Sequence, residues 1–107
     1  MTITTVEALV AHLKSEGVRF YVTTDQDVLP HWIRAIHRLS DDGRPCCPLT
    51  AALPLTHGHR SNSLANELAY REYGFPIDLG KRVMVAADYR DDEPAIRTLL
   101  LTLVEEP

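Results

Sequence analysis

The sequence predicts a mainly α-helical fold: a compact, irregular bundle of five or six short helices, with at most one two-stranded β element, residues 18–23 against residues 82–87. Three observations carry that expectation. Apolar residues recur at helical spacing in several separate stretches. Cap-type residues and glycines bracket those stretches. Only one short run is rich in β-branched and aromatic side chains.

The elements follow in order. Thr4 and Glu7 stand at capping-box spacing, and Val6, Leu9, Val10 and Leu13 form an apolar stripe behind them that Gly17 ends. Val18 to Thr23 is the strand candidate. Asp25 to Asp27 open a second expected helix, with Pro30 in its first turn and Trp32, Ile33, Ile36 and Leu39 on one side. Pro48 starts a short helix through Leu49, Ala51, Ala52 and Leu53, and the polar stretch Thr56 to Ser63 breaks the pattern. Ser61 to Ser63 can cap a helix carrying Leu64, Ala65, Leu68, Ala69 and Tyr73, closed by Gly74. Asp78 is placed to cap the next, with Leu79, Val83, Ala86 and Ala87 inward; Gly80 weakens it as a helix and leaves residues 82–87 open to a strand reading. The last helix is the clearest, with Asp91 or Asp92 as cap, Pro94 in the first turn, and Ile96, Leu99, Leu100, Leu103 and Val104 as its stripe.

At 107 residues the expectation is one domain, residues 1–107, with a core large enough to fold without staples. Hydrophobic content of 45% and charged content of 24% place the chain among ordinary globular proteins, apart from disordered ones. Met1 to Thr5 lack a basic flank followed by an apolar run, so no signal peptide is expected. The longest apolar run, Val83 to Ala87, is far short of the ~20 residues of a membrane span. The two cysteines, Cys46 and Cys47, are adjacent and poorly placed to pair with each other, which fits a cytoplasmic location.

Charge is unevenly placed. Residues 1–87 hold nine acids and nine bases; from Asp88 on, six acids face only Arg90 and Arg97, which accounts for the whole net charge of −4. An acidic end disfavours nucleic acid and anionic membrane surfaces and favours a basic protein partner.

Three groups of residues could carry chemistry. Cys46 and Cys47 with His57 and His59 are zinc-type ligands, but adjacent cysteines diverge where structural zinc sites separate them by two residues or more. The same cysteines beside a histidine are also a nucleophile–base pair by residue type, without any surrounding catalytic signature. His31, Arg34 and Arg38 form a basic stripe on the second expected helix, suited to an anion; the segment after it lacks the side chains that read bases. Tyr70, Tyr73 and Phe75 gather near the chain reversal at Gly74, where exposed aromatics would suit a protein interface.

No phosphate loop, nucleophile elbow or paired-carboxylate motif is present. The expectation is therefore a non-enzymatic protein-binding module without a cofactor, of the kind that serves as a small regulator or inhibitor in a bacterial or phage system. It would dock through the acidic region at Asp91, Asp92 and Glu93 or through the Tyr70–Tyr73–Phe75 surface, which a second copy of the chain would also suit. The alternatives are a zinc domain built on Cys46, Cys47, His57 and His59, and, more weakly, a nucleic-acid-binding protein using the basic stripe.

Overall fold

The computed structural model of the chain describes residues 2–22, 35–38, 47–53, 62–88 and 92–104. Among the described residues the fold is mainly helical, with five helices: α1 (Val6–Ser15), α2 (Pro48–Ala51), α3 (Asn62–Tyr73), α4 (Ile77–Ala87) and α5 (Pro94–Leu101). A two-stranded antiparallel sheet joins β1 (Phe20–Val22) to β2 (Ile36–Arg38).

Local chemistry sets the ends of α1. Its N-cap is Thr5, one residue beyond the expected Thr4, and the Thr5 hydroxyl accepts a 3.1 Å hydrogen bond from the Ala8 N–H. That bond satisfies one of the amides a helix start leaves open, and Glu7 then suits the positive end of the helix dipole. At the other end Gly17 is left-handed, with φ of 72°. Its N–H donates to the Lys14 carbonyl and the Val18 N–H to the Leu13 carbonyl, the paired closure that favours glycine there. The chain then enters β1 directly.

The expected strand forms, but with a different partner. Phe20 lies opposite Arg38, Tyr21 opposite His37 and Val22 opposite Ile36. Of the two readings of residues 82–87, the helix forms and the strand does not: they belong to α4. There Gly80, Val83, Met84 and Ala87 recur at helical spacing and are all buried. Ile36, expected on a helix, is instead a strand residue with 1% exposure. The spacing of Trp32, Ile33, Ile36 and Leu39 is compatible with a helix, yet the backbone groups of β1 need a partner and residues 36–38 supply it. Residues 23–34, the rest of that expected helix before Ala35, lie outside the described residues. Phe20 also makes a parallel bridge to Val104, so the turn after α5 returns the chain to β1. Leu103 and Val104, expected as the final helical turn, thus stand beyond the end of α5.

Two caps differ from expectation as well. α4 starts after Pro76, which places Asp78 inside its first turn instead of at the cap. α5 starts after Glu93, with Pro94 as its first residue, and Asp92 precedes the cap. A proline stands at each start: Pro76 is the cap of α4 and has no side-chain acceptor to offer, and Pro94 follows Glu93, which makes no side-chain capping bond.

The core draws on every element. Leu9 and Leu13 of α1, Phe20 and Ile36 of the sheet, Leu49 of α2, Val83 of α4 and Leu100 of α5 are each under 2% exposed, as is Phe75 between α3 and α4. Burying a side chain of this size contributes roughly 1.5–3 kcal/mol. α4 is central to the packing, touching α2, α3 and α5. The radius of gyration is 12.8 Å, that of a compact chain of this length.

Candidate functional site

Of the three aromatics expected to share one surface, Tyr70 and Tyr73 lie on α3 and Phe75 lies beyond the turn at Gly74. Gly74 is left-handed, with φ of 74°, and its N–H donates to the Tyr70 carbonyl to close α3. The chain then doubles back so that Phe75 enters the core with 0% exposure. Tyr73 is half-buried. Its hydroxyl donates to the Ala52 carbonyl at the end of α2, its ring stands 5.6 Å from that of His12 in a tilted arrangement, and its carbonyl accepts from the Ile3 N–H. Burial, then the nearby charges of Glu72 and Glu16, push its phenol above the ordinary value. Tyr73 is therefore a fixed joint between α1, α2 and α3. Tyr70 alone of the three faces out, at 54% exposure. The continuous aromatic patch is corrected to one exposed tyrosine.

The surface around α3 and α4 carries two more exposed apolar side chains, Leu64 and Ile77, at 45% and 43%. Asn66, four residues before Tyr70 and so on the same side of α3, donates a 3.0 Å hydrogen bond to the Ile77 carbonyl, which ties the two helices at this corner. Glu67 and Arg71 pair on the outer face of α3 at 2.6 Å, an exposed contact of little energetic weight.

The acidic region is partly committed to structure. Glu93 accepts both the Nε–H and an NH2 hydrogen of Arg82, at 2.8 and 3.1 Å, which pins the start of α5 to α4. The guanidinium holds the Glu93 carboxyl below the ordinary carboxylate value, and the carboxylate in turn raises Arg82. Asp88 and Asp92 are exposed at either end of the α4–α5 connection, and Asp91 lies outside the described residues.

Of the zinc-type ligands, Cys47 is described; Cys46, His57 and His59 lie outside the described residues. Cys47 precedes α2, half-buried, with its sulfur 3.3 Å from the Thr50 hydroxyl. Burial raises its thiol pKa more than the hydrogen bonds to Thr50 and Leu49 lower it. Among the described residues no three of the side chains His, Cys, Asp and Glu group as metal ligands would. His31 and Arg34 of the basic stripe also lie outside the described residues, while the backbone of Arg38 is in β2 opposite Phe20. The helical register that aligned the three basic residues does not extend to Arg38.

Protein-family models, curated proteins and solved structures contain no match to this chain.

Two polar features escaped the sequence reading. Arg97 is 9% exposed and donates a 2.7 Å hydrogen bond to the Ala86 carbonyl, so a guanidinium closes the end of α4 from within. Its place next to Ile96 and three residues before Leu100, on the flank of the apolar stripe, was the available signal. Asn66 is 4% exposed, and its Oδ1 lies where a side chain on Gly80 would begin. An isolated glycine inside a helical pattern was the corresponding signal. Among the described residues no helix is long and apolar enough to cross a membrane.

Proposed function

We propose that this chain is a non-enzymatic binding module that docks on a basic protein surface, without a resident cofactor, in the manner of a small regulator or inhibitor. The observation that supports this reading is the placement of charge. Residues 1–87 balance, and the whole −4 falls after Ala87. Asp88 and Asp92 stand exposed there, beside the Arg82–Glu93 pair that holds the connection to α4. A one-sided acidic field draws cationic surfaces together and repels phosphates, and it raises association rates in a salt-dependent way.

The test is retention of a partner from clarified extract on the immobilised chain, at low and at raised salt. Asp88→Asn with Asp92→Asn, and separately Tyr70→Ser, complete the comparison. The expected result is a partner held at low salt by the parent chain, released as ionic strength rises, and weakened by the double substitution. A partner kept by the double substitution but lost with Tyr70→Ser moves the contact to the outer face of α3. No partner at any salt overturns the reading.

A further inference from the structure

We draw no further inference here: the strongest candidate, the buried contact between α3 and α4 where Asn66 Oδ1 has no hydrogen-bond partner among the described residues, carries nothing because the Gly80 backbone closes directly against that oxygen and leaves no room for a ligand.

Discussion

Phe75 reaches the core because Gly74 takes a left-handed backbone at the end of α3 and turns the chain under the helix it has just left. Tyr70, five residues earlier, remains on the outer face. Substitution should separate the two sharply. Phe75→Ala empties a fully buried site and is expected to cost about 3–5 kcal/mol, whereas Tyr70→Ser should stay within about 0.5 kcal/mol. Urea denaturation of both variants checks this, and equal losses would show that Tyr70 is packed. Gly80 offers a second contrast. A methyl added there would sit 1.9 Å from Asn66 Oδ1, and Asn66 is held in place by its bond to the Ile77 carbonyl. Helix propensity favours alanine by about 0.8–1.0 kcal/mol, but overpacking costs about 1–3 kcal/mol. Gly80→Ala should therefore destabilise, and much less so in an Asn66→Ala background. A stabilising Gly80→Ala would mean that Asn66 yields freely.

At the scale of elements, two polar contacts between α4 and the start or body of α5 differ in kind. The outer one, Arg82 with Glu93, is solvated; the inner one, Arg97 on the Ala86 carbonyl, is buried. Desolvation makes the inner contact the more consequential. Arg97→Met keeps most of the apolar stem but removes the donor from a carbonyl that water does not reach. A loss of about 1–3 kcal/mol is expected. Hydrogen exchange at the end of α4 should rise in that variant more than exchange in α1, and a uniform rise would argue against a local cap. The sheet makes a related point about elements. Phe20 to Val22 is recognisable as a strand because three large or β-branched residues follow one another, but the partner that completes it is not a local property.

For the whole molecule, charge is the feature with consequences in solution. Arg82 holds the Glu93 carboxyl below the value it has in the unfolded chain. Its pairing therefore favours the folded state at neutral pH, and that contribution is lost as pH falls through the lowered pKa of the folded state. Melting temperatures of the parent chain and Glu93→Gln should differ most at neutral pH and converge as acid protonates the paired carboxylate. A gap that stays constant across that range would show that the pair is not what distinguishes them. The Arg82 side chain is 55% exposed and that of Glu93 23%, so water reaches the pair; the effect should be small and should shrink with added salt.

The helical stripes at Val6–Leu13, Ala65–Tyr73 and Ile96–Leu100, the stops at Gly17 and Gly74, and the acidic end were legible in the amino acids alone, although Leu64, expected on its stripe, is exposed. Each depends on side chains within a turn or two of one another, or simply on counting charge. The partner of β1, the choice between the helix and strand readings of residues 82–87, the entry of Phe75 into the core and the burial of Arg97 were decided only by the tertiary structure. Those outcomes rest on contacts between residues distant in the chain, where a backbone group or a guanidinium takes whichever neighbour the packed fold supplies. Periodicity marks which face an element buries. It carries no information about what that face will meet.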